Sequence, residues 1–467
     1  MKFTTTIAIC SVVIAGLVGC VVGPNYHRPA FETTASFKEQ GDWKPSEPDD
    51  ALDRGEWWQI FHDPVLDDLE RQVDVSNLNL KAAADSYRQA QALVAQARAA
   101  WWPTLSVSGS RQRELSAPGA SPIDLNTLTA TGSWQLDIWG QIRRNVESNT
   151  ASAQASAAAV VAARLSAQAA LATTYFQLCA QDTLQKLLDD TVADEQRSLE
   201  ITQNRYSYGV AAKADVVTAQ TQLLSSQAQQ VNAAIARAQY EHAIAVLIGR
   251  QPADFSLPAT PLRTDVPTIP AGVPSRLLER RPDVAEAERK MAAANAQIGV
   301  AVAAYFPNLT LSGSAGYEAA GPLSKLIASR NLLWAVGPNL AETLFEGGLR
   351  RAQVASARAA YDTSVDSYRQ TVLTSLQQVE DSLVTLRVLE HQADIDTQTV
   401  QAAKEAERLT LNQYKAGTVP YTSVITTQTT TLASEQTDLT ILLDRLSASV
   451  ALIEAIGGGW NAALIEH

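Results

Sequence analysis

From Leu128 to Ile138 apolar residues occupy every even position (Leu128, Ala130, Gly132, Trp134, Leu136, Ile138), with polar residues between them. A period of two predicts a β-strand with one apolar and one wet face. Leu105, Val107 and Gly109 against Ser106, Ser108 and Ser110 give a partner strand. Leu309, Leu311, Gly313, Ala315 and Tyr317 against Thr310, Ser312 and Ser314 give a third. A fourth, over about 332–345, alternates weakly and is assigned because it follows the third as 128–138 follows the first. The strands thus form two β-hairpins, about 103–138 and about 307–345. Each strand has about 10 residues, the length that crosses a bilayer; a piece of soluble β-sandwich is the other reading.

Elsewhere the period lengthens. Asp63 before Pro64 is a helix start, with the carboxylate as N-cap and proline in the first turn. Val65, Leu66 and Leu69 supply that helix's apolar face, and a second helix follows over about 78–100. After each hairpin comes a long Ala/Gln/Ser-rich tract, about 141–206 and about 348–414. As one helix each would reach on the order of 100 Å. Each ends in Tyr-x-x-Gly, Tyr206 to Gly209 and Tyr414 to Gly417, where glycine suits a helix C-terminus. Returning helices follow, about 213–247 and 421–456.

These elements are two copies of one plan. Pro103 in AAWWPTLSVSGS answers Pro307 in AVAAYFPNLTLSGS (307−103=204), Arg143 answers Arg350 (350−143=207), and Gly209 answers Gly417 (417−209=208). A period near 200 residues is too long for a solenoid. The expected organisation is a first repeat over 63–250, a Pro-rich linker over 251–281, a second repeat over 282–456 and a tail over 457–467.

Composition sharpens this. Hydrophobic residues make up 46% of the 467, yet there are only 8 Phe and 2 Met, so small side chains suited to closely packed long helices dominate. A net charge of −12 with no Lys/Arg cluster argues against nucleic acid. The run Ile7–Val18 is too short to span a bilayer and has the shape of a signal-peptide core. It ends in Leu17-Val18-Gly19-Cys20, which resembles a bacterial lipobox: residues 1–19 would be removed and Cys20 would carry lipid, with 20–62 as an extended leader. Val21 is not the Asp associated with retention in the inner membrane, so the outer membrane is implied. With Cys20 acylated, Cys179 is left as a buried helical residue without a disulfide partner.

Trp101, Trp102, Trp139, Tyr305, Phe306 and Phe345 all fall at one end of the strands if these run up and back. That is the arrangement of an interfacial aromatic girdle; a core cluster is the alternative. Four strands cannot close a barrel, and an open edge is not tolerated in lipid. Several chains must share one barrel, and the sequence alone does not choose between a dimer and a trimer.

Together, several tracts resemble the TolC-like outer-membrane factors, specifically the acylated lipoproteins of the NodT/OprM kind. They are Leu17–Cys20, Arg281-Pro282-Asp283-Val284, Ala293–Ala301, Phe306–Thr310, Leu344–Gly348, and Tyr206 through Asp215-Val216 to Gln220. The resemblance covers nearly the whole mature chain. It implies an α+β membrane protein, a homotrimer whose 12-stranded transmembrane β-barrel continues into a long periplasmic α-helical barrel. It further implies the exit duct of a tripartite efflux pump, with a periplasmic adaptor and an inner-membrane transporter of RND type as partners. An exit channel for protein secretion is the alternative function, and a non-conducting lipid-anchored protein a third.

The family closes its periplasmic tip with inter-helix contacts and acidic rings, which makes Asp215, Tyr206, Gly209, Tyr414 and Gly417 the candidate gate. Asp215 also reads as a first-turn carboxylate stabilising its helix. The second half departs from the family's Leu-Asp-Ala-Gln pattern with Ile425-Thr426-Thr427-Gln428, which predicts a less acidic gate. No HExxH, GxSxG, P-loop or CxxC motif is present and the five His are scattered. Neither an enzyme nor a metal or organic cofactor is expected, only the covalent lipid on Cys20.

Overall fold

The computed structural model describes residues 21–29, 37–40, 56–115, 121–269 and 281–458. Cys20, the signal region and most of the tail lie outside them. Among the described residues seven α-helices and four strands follow in order: α1 Pro64–Ser76, α2 Leu78–Ala99, β1 Thr104–Glu114, β2 Ile123–Gln135, α3 Gln141–Ser207, α4 Lys213–Leu247, α5 Pro282–Ala303, β3 Asn308–Ala320, β4 Leu332–Ala341, α6 Leu349–Ala416 and α7 Tyr421–Ala455. The chain divides into two compact units.

The first unit holds residues 21–29, Asp85–Ala157 and Glu286–Gln370, and with them the sheet. The strands lie in the order β1-β2-β3-β4, all antiparallel. Register decides what each face carries. Leu105 pairs with Gly132, Gly132 with Gly313 and Gly313 with Val336; Val107, Ala130, Ala315 and Trp334 line up likewise. Directly paired residues share a face, so the apolar positions of all four strands form one continuous surface. The other face is wet, with Ser106 Oγ and Thr131 Oγ1 2.7 Å apart across β1 and β2.

Several strand boundaries differ from the sequence expectation, among them the end of β2, at Gln135 rather than Ile138. β2 starts at Ile123 rather than Leu128 because Asp124 and Asn126 occupy the apolar register at its outer end, which breaks the alternation there. β4 ends at Ala341 rather than 345, and its weak alternation has a simple origin. Leu332, Trp334, Val336 and Leu340 lie on the apolar face, while the wet face carries the apolar Leu333, Ala335 and Gly337.

Residues 21–28 form a strap on this unit. The Val22 N–H donates to Trp139 O at 3.1 Å. The buried Arg144 guanidinium donates to the carbonyls of Val22 and Gly23 and to Asn25 Oδ1. Tyr26 donates to Glu288 at 2.5 Å.

The second unit holds Glu32–Ala84, Ala158–Ala285 and Thr371–His467. Its core gathers Trp57, Trp58 and Phe61 of the leader with Leu66, Leu69 and Val73 of α1, Leu171, Tyr175 and Phe176 of α3, and Leu452 and Ile453 of α7. Asp63 caps α1 as its sequence predicts, accepting from the N–H groups of Val65 and Leu66 at 2.9 and 3.2 Å. Its second oxygen accepts the Tyr175 hydroxyl at 2.9 Å. Cys179 is buried in this core, where burial pushes its thiol up to about 12.

Candidate functional site: the membrane face and the helical tip

The apolar face of the sheet is far from buried. Leu105 is 84% and Trp334 73% exposed, and Val107, Val336 and Leu340 are comparably open. Such a surface is stable against hydrocarbon, not water. The predicted girdle residues divide into two groups. Trp139 and Phe306 stack on each other with ring centroids 4.7 Å apart, and the Trp139 Nε1–H donates to Pro307 O at 2.9 Å. This pair joins the exit of β2 to the approach of β3. Trp101, Trp102, Tyr305 and Phe345 are exposed. Trp134, which the girdle reading passed over, donates to Trp101 O at 2.9 Å.

In the second unit the candidate gate residues gather where α3 turns into α4 and α6 into α7. Both turns close by the same hydrogen bonds. Gly209 N–H donates to Tyr206 O and Val210 N–H to Arg205 O; Gly417 N–H donates to Tyr414 O and Thr418 N–H to Gln413 O. Both glycines sit at positive φ, +74° and +79°, the left-handed conformation of a Schellman cap. Tyr-x-x-Gly is thus a helix stop in each repeat.

The two tyrosines then part ways. Tyr206 is 44% exposed, with Lys213 Nζ 5.4 Å from its ring centroid. Tyr414 is 3% exposed and packs on Tyr421 at 5.1 Å, among Leu199, Val216, Leu223 and Val424. Its hydroxyl lies 3.5 Å from Thr202 Oγ1. Over its ring, 4.8 Å from the centroid, lies the guanidinium of Arg205, whose Nη1 donates to Lys415 O at 2.7 Å. Arg205 carries no motif in the sequence, since its role depends on a helix 210 positions away. Asp215 is half-buried in the first turn of α4 and accepts from the Ala212 N–H at 3.4 Å.

Below this turn Asp190, Asp194, Glu195, Glu407 and Glu435 line a cavity of about 340 Å³ with Lys404, which pairs with Glu435 at 2.6 Å. Burial raises the pKa of Glu195, and the Glu407 carboxylate adds to it against a hydrogen bond from Gln222. Burial, with Glu195 and Tyr414 nearby, pushes the Tyr421 hydroxyl up to about 12. The Arg-Pro-Asp-Val tract does more than start α5. Arg281, itself buried, pairs with Asp283 at 2.6 Å and donates to Gln378 of α6 and Ala455 O of α7. Among the described residues no group of His, Cys, Asp and Glu is arranged to hold a metal ion.

The sequence model of the outer membrane efflux protein family matches this chain over residues 70–250 and 273–458. The toluene efflux pump outer membrane protein TtgC of Pseudomonas putida is 30% identical over 95% of this chain and 93% of its own length. The pyoverdine export outer membrane protein OpmQ of Pseudomonas aeruginosa is 31% identical over 88% and 89%. Among solved structures, the outer-membrane channel OprN superposes with a TM-score of 0.86 at 28% identity, covering 94% of this chain and all of that one. The open state of the Neisseria gonorrhoeae MtrE outer membrane channel gives 0.84 at 27%, covering 95% and 99%. The exposed apolar sheet, the paired long helices and these matches have one reading: the chain belongs to the outer membrane efflux protein family and is an outer-membrane efflux channel, not an enzyme.

Proposed function

We propose that three copies of this chain close one twelve-stranded barrel and form the exit duct of a tripartite pump, taking small organic molecules from an inner-membrane transporter of RND type through a periplasmic adaptor. The observation that carries this reading is the four-stranded sheet itself. It exposes a continuous apolar face, and β1 and β4 each have a free edge among the described residues. Lipid cannot satisfy the N–H and C=O groups of those edges, whereas β4 of one copy can pair with β1 of the next. The wet face of Ser and Thr then lines a water-filled lumen. The relatives' names, a toluene pump and a pyoverdine exporter among them, favour small-molecule cargo over secreted protein.

Cys20 is read as the lipid-bearing residue. The strap at 21–28, held through Arg144 and Glu288, fixes the chain just after it beside Trp139. Tyr414, Arg205 and Asp215, at the turns of the helical hairpins, are read as parts of the periplasmic gate. Three copies of Asp215 around one axis would make a ring that favours cations. Single-channel recording of the purified protein in planar bilayers tests the reading. Rare or small cation-selective openings, becoming frequent when Asp215 or Arg205 is replaced, are expected. A chain assembled at threefold stoichiometry that never conducts in either form would overturn it.

A further inference from the structure

The membrane face of the sheet is not uniform. At mid-height its two central strands carry only small residues, Ala130 and Gly132 of β2 paired with Ala315 and Gly313 of β3. Val107 on β1 and Trp334 on β4 stand to either side. Between these walls runs an apolar groove of about 590 Å³, a volume in the range of small-molecule sites. It lies on the central strands, so pairing of β1 and β4 with neighbouring copies leaves it open.

The same face changes character toward the end of the sheet remote from the helices. Arg111 and Arg113 follow Val107 and Gly109 at the two-residue spacing that keeps side chains on one face. Their side chains are 64% and 73% exposed and share a single carboxylate, Asp124, at 2.9 and 3.9 Å. From Val107 to Arg111 the strand rises about 13 Å. Over the strand ends and turns, 111–124 and 318–331, Arg111, Arg113, Lys325 and Arg330 stand against Glu114, Asp124 and Glu318 (4−3=+1), in a chain of net charge −12. An apolar groove that leads to a pair of arginines complements a molecule with an acyl chain and an anionic head. Guanidinium groups favour phosphate, which they bind in bidentate fashion.

We propose that this face is a binding site for lipid A, the phosphorylated and acylated anchor of outer-leaflet lipopolysaccharide. One acyl chain lies in the groove past Gly313 and Ala315, and a phosphate sits on Arg111 and Arg113. The site is separate from the conducting path, and one copy stands on each chain of the assembly.

The test is native mass spectrometry of the full-length protein after incubation in nanodiscs containing lipid A and phosphatidylethanolamine, extraction and washing. Three forms are compared: the natural chain, Arg111→Gln with Arg113→Gln, and Ala130→Leu with Ala315→Leu, which fills the groove. Retained lipid A is expected on the natural chain and about five-fold or more reduced without the two arginines. The groove-filling pair is expected to lower it as well. The arginines are exposed, so their variant assembles, and only assembled protein is scored. Equal lipid A on all three forms overturns the proposal. So does retention of phosphatidylethanolamine in place of lipid A.

Discussion

The guanidinium of Arg205 lies 4.8 Å over the ring of Tyr414 and donates to the Lys415 carbonyl at 2.7 Å, so the last turn of α3 is tied to the last turn of α6. Both contacts are lost in Arg205→Ala. A cation–π contact contributes about 0.5–1 kcal/mol and a hydrogen bond from a charged donor about 1.5–3. If the closed channel holds this tie and the open one releases it, the variant raises open probability by roughly ten-fold or more, since 1.4 kcal/mol is a factor of ten. Arg205→Lys retains charge without the planar fork and is expected to fall between. Open times in planar bilayers provide the check, and unchanged gating in Arg205→Ala would separate the tie from the gate.

Gly209 and Gly417 end their helices at positive φ, where an added Cβ is strained. Each Gly→Ala change is predicted to cost about 1–2 kcal/mol of local stability. No described residue comes within 4 Å of a Cβ at 209, and the nearest described atom to a Cβ at 417 would be Arg205 Nη2 at 3.7 Å, so the cost is one of backbone and not of collision. Hydrogen exchange of the amides of Val210 and Thr418 reads it out: faster exchange is expected at the altered turn only.

Glu70 is fully buried in the second unit, and neither carboxylate oxygen has a hydrogen-bond partner among the described residues. Burial pushes its pKa well above the ordinary carboxylate value, and the charges of Asp74 and Asp67 push in the same direction. A raised pKa means that the folded protein binds this proton more tightly than the unfolded chain. Stability from this group is therefore full below the unfolded pKa of about 4.3 and is lost as pH rises toward the folded value. Glu70→Gln removes the titration. It is predicted to raise thermal stability at pH 8 and to flatten its dependence between pH 5 and 8, as followed by circular dichroism at 222 nm.

Asp63 holds three partners at once, the N–H groups of Val65 and Leu66 and the Tyr175 hydroxyl. Asp63→Ala loses the cap, worth about 1 kcal/mol, and leaves a buried hydroxyl unpaired at about 1–3 kcal/mol more. Asp63→Asn keeps the cap and is expected to lose less. Urea unfolding followed by the fluorescence of the buried Trp57 and Trp58 distinguishes the two variants.

What could be read from the sequence followed its local periods. β1 and β3 alternate cleanly because one face meets lipid and the other water, and Asp63-Pro64 announces α1. β4 blurred because Leu333, Ala335 and Gly337 put apolar side chains on the wet face, and the start of β2 was missed because Asp124 and Asn126 sit at the end of the apolar face. At the tip, the repeat made Tyr206 and Tyr414 look equivalent. Their surroundings differ because Tyr414 meets Tyr421, whereas the matching place after Gly209 holds Lys213. Arg205, Arg144 and Arg281 act across more than a hundred positions of chain, and no local pattern marks such cross-ties.

The most direct test of the account is the number of chains that share the barrel. Native mass spectrometry of the detergent-extracted protein, before and after release into a nanodisc, counts them. Three chains, yielding twelve strands with every edge paired, is the predicted result. A stable monomer or dimer in the membrane would contradict it, because the free edges of β1 and β4 would then need another partner.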